Sequence, residues 1–90
     1  MARATAEDLQ TLLPLLRQLR EIKGLREDQP GIFYARGAAF VRFHNDEGVL
    51  VADLKKPTGT GFDRYPVDTV VRQRKLIDDA KRRAGGRDDD

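Results

Sequence analysis

The sequence predicts an α+β fold: a three- to four-stranded antiparallel β-meander flanked by an N-terminal and a C-terminal helix, in the order α-β-β-β-(β)-α. Three observations predict it. Leu9, Leu12, Leu13, Leu16, Leu19 and Ile22 recur at three- and four-residue intervals, which makes one stripe of an amphipathic helix. From Ile32 to Val67 the apolar period falls to about two, carried by β-branched and aromatic residues and punctuated by Gly, Asn and Asp. From Val70 to Ala84 the helical period returns.

The first helix opens at Thr5. Its hydroxyl accepts from an orphan N–H of the first turn while Asp8, three residues on, supplies a carboxylate there, an acidic variant of the capping box. Gly24 suits the position after a helix end. Pro14 is the complication, because an interior proline removes one backbone bond and clashes with the preceding turn at a cost of ~3 kcal/mol. A single helix kinked at Pro14 is expected; the alternative is a shorter helix that Pro14 opens, with residues 5–12 a separate turn. Residues 24–31 read as loop.

The first predicted strand is Ile32 to Arg36, and Gly37-Ala38 is expected to be a two-residue turn. In the second, Ala39 to His44, strict alternation puts Ala39, Val41 and Phe43 on one face and Phe40, Arg42 and His44 on the other. Asn45-Asp46-Glu47-Gly48 is the next turn, and Val49 to Lys55 the third strand, with only Asp53 interrupting it. After the breaker-rich loop 56–61, Phe62 to Val67 reads as a short fourth strand. Pro66 confines it to an edge. Asp68 or Thr69 caps the last helix, and Gly85-Gly86 ends it.

A chain of 90 residues has room for one domain, expected over residues 1–84, with a disordered acidic tail at 85–90. Leu, Ile, Val and Phe supply 23 residues, enough for a folded core, but 36% of the chain is charged. Chains of this size bury only ~60–65% of their unfolded surface, so a second copy would add stability, and self-association is the expected partnership. There is no Cys, which removes disulfides, thiolate metal sites and cysteine nucleophiles. No apolar run approaches the ~20 residues of a membrane span, and no leader-like segment opens the chain; a cytoplasmic protein without membrane contact and without a cofactor is expected.

Three groups carry candidate chemistry. His44, the single histidine, lies near Asp46 and Asp53, which together make a weak acid–base or metal-assisted centre; turns carry Asp and Glu for their conformations alone, and no metal site is assigned. The loop Lys55-Lys56-Pro57-Thr58-Gly59-Thr60-Gly61 sets two cations before two glycines, as an anion cradle would. It lacks the nucleotide-binding patterns and reads first as a solvated connection. The last helix carries Arg72, Arg74, Lys75, Lys81, Arg82 and Arg83, a face suited to nucleic acid or another polyanion. Asp78 and Asp79 lie at pairing distance along it, which favours a solvated face. The element order resembles the double-stranded RNA-binding domain, but that fold's Lys-Lys-x-Ala-Lys segment is replaced here by Asp68-Thr69-Val70-Val71-Arg72.

The segments Gly31-Ile32-Phe33-Tyr34, Ala39-Phe40-Val41-Arg42-Phe43-His44-Asn45-Asp46, Ala52-Asp53-Leu54 and Phe62-Asp63-Arg64-Tyr65-Pro66-Val67 resemble a small bacterial family of uncharacterised proteins. That family carries G-[IV]-F-Y, A-F-L-H-F-H-E-D, F-A-D-[LV] and F-x-R-x-P-V before a final helix. Arg42 stands where the family pattern has its first histidine. The resemblance implies a compact domain and brings no activity. The expected function is a small non-enzymatic binding or assembly module, homo-oligomeric, with an interface on an exposed strand edge or on the face carrying Phe40, Arg42 and His44. Polyanion binding through the last helix and an enzyme centred on His44 are the alternatives.

Overall fold

The computed structural model describes residues 2–85 and is α+β. Its elements are β1 (Ala2–Arg3), α1 (Ala6–Thr11), α2 (Leu13–Arg20), β2 (Arg26–Gln29), β3 (Ile32–Ala35), β4 (Ala38–Asp46), β5 (Val49–Lys55), β6 (Phe62–Pro66) and α3 (Val70–Gly85). The sheet is fully antiparallel. Its order is β2-β3-β4-β5-β6, and β1 pairs with β4 beyond the end of β3, Arg3 facing His44. Six strands replace the three or four expected, because β1 and β2 are short, polar and without alternation.

The predicted capping box is present: Asp8 N donates to Thr5 Oγ1 at 3.1 Å, and Thr5 N donates to Asp8 Oδ2 at 2.9 Å. The expected single kinked helix is instead two. The chain breaks at Leu12 (φ −96°, ψ 13°), and Pro14 sits in the first turn of α2, where its missing N–H costs nothing. Leu12, Leu15, Leu16 and Leu19 still reach the core. The predicted acidic tail lies outside the described residues, apart from Gly85, which closes α3.

Both central hairpins turn through two residues at positive φ, Arg36 (55°) with Gly37 (82°) and Glu47 (53°) with Gly48 (90°). This is the type I′ combination, whose twist matches that of the strands. The first turn is therefore one residue earlier than expected. The β2–β3 turn uses Pro30 and Gly31; Gly31 has φ 78°, a conformation strained for a side chain, and a Cβ there would press on Leu9 Cδ2 of α1 at 2.9 Å.

All three helices cover one sheet face, where Phe33, Val41, Phe43, Ala52 and Leu54 meet Leu76, Ile77 and Ala80 of α3. A β-bulge corrects the expected alternation. Phe33 pairs with Val41 but Tyr34 with Ala39, so Phe40 is an extra residue on β4. The bulge turns its ring into the core, where it is 5% exposed, away from the face of Arg42 and His44. On α3, buried Asp79 accepts from Tyr65 Oη of β6 at 2.5 Å and also takes Lys75 and Arg82, which ties the helix to the sheet edge. No described helix is long and apolar enough to cross a membrane.

Candidate functional site on the open sheet face

No described element covers the sheet face opposite the helices, and its side chains are set by register. The tight Glu47-Gly48 turn fixes Asp46 opposite Val49, which places Arg42 opposite Asp53; the next ladder places Asp53 opposite Arg64. One row across the face therefore reads Ile32, Arg42, Asp53, Arg64. The adjacent row carries Arg3, His44, Val51 and Pro66.

The predicted candidates are partly brought together. Asp53 is buried, and Arg64 donates to its two oxygens from Nε (3.0 Å) and Nη2 (3.2 Å). His44 Nε2 stands 3.3 Å from Asp53 Oδ2. Asp46 is joined to the group only through Arg64 Nη1, at 3.8 Å. Burial holds the His44 pKa below the ordinary imidazole value; Asp53 opposes this, while Arg42, Arg64 and Arg3 reinforce it. The imidazole is thus neutral near pH 7, beside a carboxylate already committed to an arginine. Among the described residues no three His, Asp or Glu side chains gather as a metal-binding group would.

Arg42 has a different setting. It reaches across β5 so that its guanidinium carbon lies 4.2 Å from the centroid of the Phe62 ring, a cation–π contact. Its Nε is enclosed without a hydrogen-bond partner. Beside it a hollow of about 350 Å³ is lined by Arg3, Ile32, Tyr34, Ala39, Arg42 and His44. Among the described residues Arg3 bonds only the neutral Gln29 side chain, at 3.0 Å, and no carboxylate lines this hollow; Arg42 borders it while its guanidinium lies over Phe62.

The basic helix is electrostatically quieter than its sequence. Arg72 pairs with Asp68, Lys75 and Arg82 with Asp79, and Arg83 with Asp63. Of the six predicted polyanion contacts, Arg74 and Lys81 alone have no carboxylate partner among the described residues. From the sequence Arg42 and His44 were named, and Tyr34 was expected near His44, which the shared hollow bears out; Arg3, Phe62 and Arg64 were missed as their companions. The Arg42–Asp53 pairing follows from hairpin register once the turn is narrowed to Glu47-Gly48, whereas the Asp53–Arg64 pairing belongs to the β5–β6 ladder across the loop 56–61. No family model, curated protein or solved structure matches the chain, and the site is read from its own geometry.

Proposed function

We propose that this protein is a non-enzymatic binding module that takes a polyanion on its open sheet face, with Arg42 and Arg3 as its cationic contacts. The observation that carries the reading is the open face around Arg42, whose guanidinium lies over Phe62 without an ion pair among the described residues, while Arg3 borders the neighbouring hollow, which no described carboxylate lines. A charge in such a place gains more from an incoming anion than the paired cations of α3, which would first have to give up Asp68, Asp79 or Asp63. Tyr34 in the same hollow supplies a ring against which a base can stack, so single-stranded nucleic acid is the first partner to test.

Salt-dependent retention on immobilised single-stranded DNA tests this. The wild type is retained at low salt and released as salt rises. Arg3→Ala and Arg42→Gln each reduce the salt slope by about one. Arg74→Ala and Lys81→Ala leave it unchanged. A reversed pattern returns the function to α3, and no retention at low salt removes polyanion binding altogether.

Self-association keeps one specific support. Val49, 45% exposed, lines a hollow of about 270 Å³ with Leu12, Leu50 and Val67, and Val70 and Val71 at the start of α3 are 67% and 76% exposed. The strand edges are poorer candidates, since β2 is short and charged and β6 carries Pro66. Sedimentation equilibrium of the wild type and Val71→Lys decides it: a dimer that Val71→Lys dissociates supports this second reading, and a monomer at all concentrations removes it.

A further inference from the structure

The loop 55–61 was one of two features with anion-binding chemistry in the sequence, and the fold gives it partners that spacing does not reveal. Arg36 from the β3–β4 turn, Lys55 and Lys56 from the end of β5, and Arg83 from the last turn of α3 line one hollow of about 170 Å³. Ala35, Ala38 and Phe40 supply its apolar lining. Asp63 answers part of this charge, taking Lys56 Nζ at 2.6 Å and Arg83 Nη2 at 3.1 Å. Lys55 alternates to the open face with Asp53 and meets Arg83 through its carbonyl, so Arg36, Lys56 and Arg83 against Asp63 leave a surplus of two among the described residues.

Arg36 adds an independent observation. It occupies the left-handed region (φ 55°) at the first central position of a type I′ turn, where Asn or Gly is preferred and a long side chain is strained. Nothing in the turn needs an arginine: its side chain has no hydrogen bond or carboxylate partner among the described residues, and it borders the hollow. Glu47 holds the equivalent position of the β4–β5 turn (φ 53°), so the turn type sets the conformation, and what distinguishes Arg36 is that its side chain borders a basic hollow.

We propose that this hollow is a phosphate site, taking a phosphate group, free or at the end of a larger ligand, among Arg36, Lys56 and Arg83. A planar carboxylate is satisfied by one arginine fork. A surplus of two charges, on cations arriving from three separate parts of the chain, fits a tetrahedral dianion with oxygens in several directions. The site shares no lining residue with the open-face hollow, so it stands or falls separately from that reading.

The test is an NMR titration of the full chain with inorganic phosphate, against chloride at matched ionic strength. Saturable shifts of the Arg36, Gly37 and Lys56 amides with phosphate alone are expected. Arg36→Asn keeps the turn, because Asn suits that conformation, and weakens phosphate binding about tenfold. Lys56→Ala weakens it similarly through a residue outside the turn. Arg83→Ala is a poor probe, since Arg83 also donates to the Lys55 carbonyl at 3.0 Å. A nucleoside 5′-monophosphate that binds more tightly than inorganic phosphate assigns the site to a phosphorylated ligand; equal affinity assigns it to the free anion. Identical shifts with chloride, or unchanged affinity in both Arg36→Asn and Lys56→Ala, would overturn the proposal.

Discussion

Arg64 holds Asp53 by both carboxylate oxygens across the β5–β6 ladder, at 3.0 and 3.2 Å, and so keeps a buried charge tolerable on the open face. The same contact occupies one arginine that would otherwise join Arg3 and Arg42 toward an anionic partner. Asp53→Asn is therefore expected to act in two directions. The urea midpoint falls, because a charge-assisted bidentate contact is lost, while retention on single-stranded DNA shifts to higher salt as Arg64 is released. Parallel loss of stability and binding would mean that Asp53 organises the face rather than competing with its ligand.

His44 titrates below its ordinary value because burial disfavours the imidazolium and three arginines add to that effect. The unfolded chain then binds the proton more readily than the folded one, so stability falls as pH drops from about 6.5 toward 5. His44→Gln removes that slope. Acid loss below about pH 4 persists in the variant, because it belongs to Asp8, Glu27, Asp63, Asp68 and Asp79, which their hydrogen-bond partners hold below the ordinary carboxylate range. Urea melts at a series of pH values separate the two windows.

Tyr65 behaves oppositely. Burial and its hydrogen bond to Asp79 push the phenol up to about 12. Protonated Tyr65 is the folded-state form, so its contribution is complete below about pH 10 and is lost as pH rises through about 12. Tyr65→Phe abolishes this alkaline loss and costs about 1–2 kcal/mol at neutral pH, since buried Asp79 loses its neutral donor. Phenolate absorbance and urea denaturation read the two effects.

Two substitutions test the corrected fold. Phe40→Ala is expected to cost about 3–4 kcal/mol with no change in oligomeric state, because the bulge places Phe40 in the core. Pro14→Ala is expected to change stability by less than about 0.5 kcal/mol. In an unbroken helix the same change would relieve a clash of ~3 kcal/mol, so denaturant midpoints distinguish the broken helix from the kinked one.

The elements with strong side-chain periodicity were legible: the leucine stripe, the capping box of Thr5 and Asp8, the three central strands and the proline-bearing edge. The strand Arg26–Gln29 was not, because its residues are all polar and only its ladder to β3 makes it a strand. Alternation misplaced Phe40 for a related reason: the rule assumes no bulge, and no residue in Ala39-Phe40-Val41 announces one. The functional groups were visible singly and not in combination. Arg36 meets Lys56 and Arg83, and Arg3 meets Arg42 and Tyr34, only through register and the meeting of chain ends far apart in sequence. The paired state of α3 was half legible, since Asp79 stands four and three residues from Lys75 and Arg82, whereas the Arg83–Asp63 contact is long-range.

The most direct measurement of the central claim is amide chemical-shift mapping with a short single-stranded oligonucleotide at low salt. The open-face account predicts shifts at Arg3, Tyr34, Arg42 and His44 that reverse as salt is raised, with Arg74 and Lys81 unaffected. Shifts confined to α3, or none, would contradict it.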